Sequence, residues 1–175
     1  MLSRKVADKL YAFETPFYLY DLDLLRQTLQ SAVSVAERYG YCLHYAIKAN
    51  YDPRLLQIIR EYGLGIDCAS GNEVRCAIEA GFDPKKIVYA GVGKRDKELR
   101  YAIEQGIFAI NCESIEELLL VDSFAAEAGK VARLPRHGSH RTAMPTDKGG
   151  VAFLPIGVVK WRFFCLRVQC SQNAR

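Results

Sequence analysis

Four short apolar runs begin near Leu43, Leu64, Ile87 and Phe108, at intervals of 21, 23 and 21 residues. A helical pattern lies between each pair. Apolar side chains recur at helical spacing in Leu55, Leu56 and Ile59, in Val74, Ala77 and Ile78, in Leu99, Ala102 and Ile103, and in Ile115, Leu118, Leu119 and Ala126. The helix starts are marked. Asp52-Pro53 is a cap followed by proline at the first helical position. Ser70-Gly71-Asn72-Glu73 and Ser114-Ile115-Glu116-Glu117 both fit the capping box. Gly63, Gly81, Gly106 and Gly129 mark the stops. Strand–helix alternation at this period joins parallel strands through right-handed crossovers. The fold class is α/β, with an open doubly wound sheet and a β/α barrel as the candidates. In both, working groups gather at the carboxyl ends of the strands. Lys48, Asp67, Gly91 and Asn111 fall there.

Residues 1–16 read as a lead-in that ends at Thr15-Pro16, and Phe17 to Tyr20 alternate weakly, as a strand would. Asp21 or Asp23 caps the helix that follows, to about Tyr39, with Leu22, Leu25, Leu29, Ala32, Val33 and Ala36 on one face. Gly40 stops it.

Tyr45-Ala46-Ile47-Lys48-Ala49-Asn50 carries the most chemistry. An apolar strand from Leu43 to Ile47 ends on a single lysine and enters a turn. Burying an ammonium is costly unless it is paired or loses its proton. A lysine there either reaches solvent at the rim or serves as a nucleophile, forming Schiff bases with carbonyls.

At 175 residues and 50% apolar, the chain suits one ordinary domain with a sizeable core. No apolar run approaches the roughly 20 residues that span a bilayer, and no signal-peptide core follows Met1-Leu2-Ser3-Arg4-Lys5. The six cysteines lack the paired spacing of a zinc site, and Cys42, Cys68 and Cys112 sit in or beside expected strands as small apolar fillers. A reduced, cytoplasmic protein without membrane partners is expected. Gly91-Val92-Gly93 is half of a dinucleotide fingerprint and lacks the third glycine. His44 reads as structural, and His137 and His140 fall in a patternless stretch that does not suggest a metal site.

The net charge of +4 conceals a break: residues 1–130 carry −3 and residues 131–175 carry +7. A fifth strand is due near Val131 and begins on time with Val131-Ala132. From Arg133 onward the sequence shows no helical stripe and no capping signal. Val151 to Leu154 and Gly157 to Leu166 are apolar without a clear period, and Trp161 to Cys165 would be aggregation-prone if exposed.

Residues from about 12 to 131 resemble the fold type III pyridoxal-phosphate decarboxylases, and within them the diaminopimelate decarboxylases. Four motifs carry the resemblance in order: Tyr45 to Asn50 with Leu55-Leu56 beyond, Gly65 to Glu73, Ile87 to Gly91 through Lys94, and Ile110 to Leu118. Thr15 to Asp21 looks like the family's opening strand. The resemblance implies an eight-stranded β/α barrel with a mostly β second domain, of which this chain holds about the first half of the barrel, followed by an irregular C-terminal tail. It implies pyridoxal 5'-phosphate as cofactor, with Lys48 as the Schiff-base lysine and Ala46 and Asp67 as further cofactor contacts. Asp67 could equally be a strand-end carboxylate facing a helix, and Glu73 matches an active-site neighbour that the capping box also explains. Cys112-Glu113-Ser114 resembles a late catalytic motif of the family but lies after the fourth strand.

The implied activity is decarboxylation of a small amino acid, meso-diaminopimelate to L-lysine, by a homodimer. An ornithine- or arginine-type decarboxylase of the same fold and a non-catalytic carrier of the cofactor are the alternatives. A nucleic-acid role rests only on the basic tail, and no nucleic-acid partner is expected. The family's phosphate-holding loop, ring-stacking histidine and partner-subunit residues find no match, and Gly149-Gly150 is not that loop.

The domain reading is 1–133 as the amino-terminal part of the barrel and 134–175 as a non-matching tail, frame-shifted or disordered. A half barrel would leave the fourth strand with an open edge and give a poorly soluble, impaired chain. The charge swing, the lost period and the arrested strand motivate the frame-shift reading. Translating the gene in its other two frames beyond codon 133 tests it. An alternating barrel pattern is expected in one frame, and its absence from both rejects the idea.

Overall fold

The computed structural model describes residues 9–135, 150–154, 156–159 and 166–171. Helix α1 spans Leu22–Arg38 and starts where the Asp21 carboxylate accepts from the Leu24 amide at 2.9 Å. It buries Leu29 and Ala36 and ends before Gly40, which turns the chain at φ +69°. Strand β1, Tyr41–Ala46, follows. It starts two residues before Leu43 and stops one short of Ile47. Ile47–Ala49 form a single 3-10 turn, so Lys48 leaves from a tight turn rather than from the strand itself.

Helix α2, Pro53–Glu61, begins at the Asp52 cap, which accepts from the Arg54 amide at 2.9 Å, with Pro53 in its first turn. It buries Leu55, Leu56, Ile58 and Ile59. The remaining units repeat the plan: β2 Gly65–Cys68 and α3 Gly71–Glu79, β3 Ile87–Tyr89 and α4 Asp96–Gln105, β4 Ala109–Ile110 and α5 Ile115–Glu127.

Strands β1 to β4 are parallel, in the order β4-β3-β2-β1. Their register separates two faces. Ile66 pairs with Tyr45 and Ile87, and Tyr89 with Cys68 and Ile110. These side chains join Val74, Ala77, Leu99, Ala102 and Val121 in the core under the helices, where Ile66, Ile87 and Val121 have no exposed surface. Ala46, Asp67, Val88 and Ala109 form the neighbouring row and, by the alternation of strand side chains, face the other way. Ala46, Val88 and Ala109 are buried, yet none belongs to the helix-side core. His44 lies on this second face, 5% exposed, with its ring against the backbone of Gly65. That agrees with a structural role.

Two local expectations fail. Phe17 to Tyr20 form no strand: they are irregular and exposed, Tyr18 to 91%. A weak alternation cannot make a strand without a partner, and no described strand lies beside it. The fifth strand does not stop at Ala132 but runs Val131–Pro135 as β5. Ala132 and Leu134 are buried while Val131 and Arg133 are exposed, so the charged residue takes the outward position of a period-two strand.

In the tail, which offers no helical signal, the described backbone is strand. Strand β6, Gly150–Leu154, pairs in parallel with β5 as a separate two-stranded sheet. Strand β7 is Ile156–Val159 and strand β8 is Leu166–Ser171. β8 runs antiparallel along the free side of β1 and carries β7 outside it, making a six-stranded sheet. Among the described residues no strand pairs with the outer edge of β4. His137, His140, Gly149, Trp161 and Cys165 lie outside the described residues.

The strand ends pack closely. A Cβ on Gly91 would lie 1.9 Å from the Ala69 carbonyl oxygen, whereas one on Gly93, at φ +65°, would meet nothing within 4 Å. Gly93→Ala should therefore cost only the left-handed backbone penalty, about 1–2 kcal/mol. Gly91→Ala must push two backbones apart and should cost clearly more. Urea unfolding of the two variants checks the order, and equal losses would show that the loops are not packed this way.

Candidate active site

The loops that follow β1 to β4 meet at one end of the sheet. Backbone bonds carry the pairing past the strands themselves: the Ala90 amide donates to the Cys68 carbonyl at 2.7 Å and the Asn111 amide to the Tyr89 carbonyl at 2.8 Å. A glutamate at the third helical position closes three of these loops. Glu73 accepts from the Ala69 amide at 2.6 Å, Glu98 from the Arg95 amide at 3.0 Å and Glu117 from the Glu113 amide at 2.8 Å. Ser70 and Ser114 cap the same helices at 3.2 Å. The Glu73 carboxylate is thus accounted for by its cap.

Lys48 is exposed in the turn after β1, and its amine has no hydrogen-bond or ion-pair partner among the described residues. Ala46 and Asp67 are direct neighbours in the β1–β2 register, with Asp67 half-buried. The strand-end lysine, Ala46 and Asp67 therefore share one corner of the sheet. Asn111 lies two residues beyond Ala109, and its side-chain Oδ1 is buried with no hydrogen-bond partner among the described residues. A buried acceptor left unpaired costs about 1–3 kcal/mol, so it marks a place where a donor belongs.

A second cluster supports this mouth, and sequence reading did not assign it. The Lys94 side chain is fully buried (0% exposed), 2.9 Å from the Glu117 carboxylate and 5.5 Å from the centre of the Tyr89 ring. Glu117 is in turn the residue that holds the Glu113 amide. The pair therefore ties the loop after β3 to the loop after β4, next to Asn111 and Cys112. The lysine closes one of the family-like motifs, but nothing local to it reveals a partner 23 residues away.

Burial pushes the Cys112 thiol up to about 12, with the Glu117 carboxylate adding to it. Burial also raises the Cys68 thiol, with Glu73 next, and the Tyr89 phenol, with Glu98 next. Burial thus holds Cys112 and Cys68 in the protonated form, which disfavours thiolate chemistry. Asp52 is held at about 2 by its side-chain bonds from Arg54, at 2.6 and 3.0 Å. A groove of about 690 Å³ lies between α3 and α4, lined by Arg75, Arg95, Arg100 and Tyr101 among others. It contains none of Lys48, Asp67 and Asn111. Its arginines face local partners: Arg95 meets Glu98, Arg100 meets Glu127, and Arg75 lies over Tyr101. Among the described residues no group of three or more histidine, cysteine or acidic side chains could hold a metal, and no helix is long and apolar enough to cross a membrane.

Parallel strands, alternating helices and chemistry confined to the strand ends define a segment of a β/α barrel. Residues 23–150 match the family described as pyridoxal-dependent decarboxylase, pyridoxal binding domain, and the chain belongs to that family. The match continues past Val131, near which the resemblance read from the residues ends. The chain is 46% identical over 156 residues to the diaminopimelate decarboxylase of Bacteroides thetaiotaomicron, covering 83% of this chain and 40% of that protein. It is 38% identical over 125 residues to the L-glutamyl-[BtrI acyl-carrier protein] decarboxylase of Niallia circulans, covering 70% of this chain and 28% of that protein. The fold superposes on the crystal structure of diaminopimelate decarboxylase from Helicobacter pylori complexed with L-lysine, with a TM-score of 0.67 and 30% identity, over 83% of this chain and 40% of that one. The chain thus spans between 28% and 40% of the length of these relatives.

The family's cofactor is pyridoxal phosphate. The mouth fits it in three respects: an exposed primary amine, a face of small side chains beside a carboxylate, and an unpaired buried acceptor at Asn111.

The raised thiols and phenol set an alkaline limit on stability. A group whose pKa is higher folded than unfolded keeps its proton in the native state while the unfolded chain loses it, so stability falls as pH rises between the two values. For Cys112 that window opens at the ordinary 9.0 and closes at about 12, and Cys68 and Tyr89 act in the same direction. The urea midpoint should be level from about pH 7 to 9 and fall above it, less steeply in Cys112→Ala. A midpoint that stays level to about pH 11 would contradict the burial of these groups.

Proposed function

We propose that this chain is the cofactor-holding part of a pyridoxal-phosphate-dependent decarboxylase that converts meso-diaminopimelate to L-lysine. The observation that carries the reading is the solvent-reaching Lys48 in a tight turn at the carboxyl end of β1, beside the registered Ala46–Asp67 pair. The 46% identity to a diaminopimelate decarboxylase and the likeness to one complexed with L-lysine support the choice of substrate.

In this reading Lys48 holds the cofactor through its Nζ, and Ala46 and Asp67 contact it. When bound, the cofactor supplies the electron sink that stabilises the carbanion left as carbon dioxide departs. Lys48 Nζ then carries a proton to or from the reacting carbon, which needs the amine held within hydrogen-bond reach by its turn. Ala46, Val88 and Ala109 put only small to medium side chains on that face beside Asp67. A cytoplasmic homodimer belongs to the same proposal.

A second reading keeps the chemistry and changes the substrate. The chain is as similar, at 38%, to a decarboxylase of a carrier-bound glutamyl group as to the diaminopimelate decarboxylase of Aquifex aeolicus. Decarboxylation of ornithine or arginine falls within the same alternative.

The protein should be mixed with pyridoxal phosphate, reduced with borohydride, digested and mapped by mass spectrometry, with Lys48→Ala in parallel. A pyridoxyl mass on Lys48 is expected, with loss of the near-visible absorbance band in Lys48→Ala. Equal absorbance and no labelled Lys48 would remove the cofactor reading. Release of carbon dioxide from diaminopimelate, compared with ornithine and arginine, then separates the substrates.

A further inference from the structure

We propose that Asn50 is the positioning residue of the lysine turn and that the Tyr20 hydroxyl is its outer anchor, so that the segment before α1 sets the orientation of Lys48. The proposal rests on the reading of Lys48 as the cofactor-holding amine, and adds to it the device that aims that amine.

Three bonds converge on Asn50. Its Nδ2 donates to the Tyr20 Oη at 2.8 Å, its Oδ1 accepts from the Asp52 amide at 2.8 Å, and its carbonyl accepts from the Tyr45 hydroxyl at 3.1 Å. The three partners come from three places: the irregular segment before α1, strand β1, and the cap of α2. On the other side of Lys48, Ile47 has no exposed surface and is locked in the helix-side core. Lys48 and Ala49 therefore form a two-residue bridge between a buried anchor and a hydrogen-bonded one. The side chain of Lys48 is long and exposed, so the direction in which its amine is presented depends on the backbone beneath it.

A carboxamide suits the place, because one short side chain donates to the Tyr20 oxygen and accepts from the Asp52 amide. An aspartate would accept from the Tyr20 hydroxyl instead, so alanine is the substitution that removes both side-chain bonds. The aromatic segment from Phe17 to Tyr20, which forms no strand, gains a role here: Tyr20 is 45% exposed, and its hydroxyl reaches the turn across 30 residues of sequence. Because the ring is half in solvent, Tyr20→Phe deletes one hydrogen bond and leaves the core untouched.

The test uses the chain as wild type, Tyr20→Phe, Asn50→Ala and the double variant, with pyridoxal 5'-phosphate as probe. Time points are reduced with borohydride. Pyridoxyl labelling at Lys48 is then counted by mass spectrometry against labelling at Lys85, an exposed lysine outside the site. Amide hydrogen exchange over residues 47–51 is measured without the probe. Tyr20→Phe should slow Lys48 labelling about fivefold relative to Lys85, the factor expected for one lost hydrogen bond, and Asn50→Ala, which loses two, should slow it further. Both should speed exchange over the turn. The double variant should be no slower than Asn50→Ala, because the bond lost in Tyr20→Phe is already gone in Asn50→Ala.

Exchange in Tyr20→Phe that matches wild type, or Lys48 labelling at the wild-type ratio, overturns the proposal. Wild-type labelling of Lys48 no faster than that of Lys85 overturns the cofactor reading instead, and is seen before any variant is compared. Should Asn50→Ala fail to fold, Tyr20→Phe decides the matter alone.

Discussion

Everything at the mouth of this molecule hangs from the apolar layer between the parallel strands and their helices. Ile47, Ile66 and Ile87 are wholly buried, and Tyr89, Leu56 and Leu99 are 1% exposed. Fully burying one such aliphatic side chain is worth about 1.5–3 kcal/mol. An exposed ion pair such as Arg26–Glu61 or Arg100–Glu127 contributes about 0–1 kcal/mol. The layer therefore fixes the register of β1 to β4, and the register decides which side chains stand beside one another at the strand ends. Asp67 lies next to Ala46 because Ile66 and Tyr45 are paired one step back, beneath the helices.

Above that layer the molecule uses local polar bonds to hold loops in place. Glu73, Glu98 and Glu117 each fold back onto the chain just before their helices, and two of them work with a capping serine. Glu117 has a further partner in the buried Lys94. Removing one member of a buried pair leaves an uncompensated charge, which commonly costs about 3–5 kcal/mol, so this pair is a tie between loops that tolerates little change. The corner proposed for the cofactor is built differently. Lys48 is exposed, between the buried Ile47 and the hydrogen-bonded Asn50. In the proposed role, an amine that meets an incoming carbonyl gains from a firm base and a free tip.

Much of the plan is legible in the residues. The strand spacing, the caps at Asp52, Ser70 and Ser114 and the glycine stops locate every helix from α1 to α5 within a few residues. The carboxyl-end rule picks out Lys48, Asp67 and Asn111 before any coordinates are known. The misses have physical causes. Ile47 has the composition of a strand residue, but the chain turns there because Asn50 and Asp52 draw the backbone into a tight loop. Arg133 hides a strand, since a charged residue in an outward position looks like the end of an apolar run. Phe17 to Tyr20 have strand composition without a strand partner among the described residues.

The sequence by itself determined what acts over three or four residues. A serine can cap a helix, a glutamate can reach back to an amide, and apolar side chains can share a helix face whatever the rest of the chain does. Those interactions fix the β/α order, and with it the end of the sheet where chemistry must lie. The tertiary structure alone decided the meetings between distant residues: Tyr20 with Asn50, Lys94 with Glu117, Asp67 with Ala46. Each depends on strand register and helix packing, which are set by burial summed over the whole core and leave no local mark on the residues that benefit.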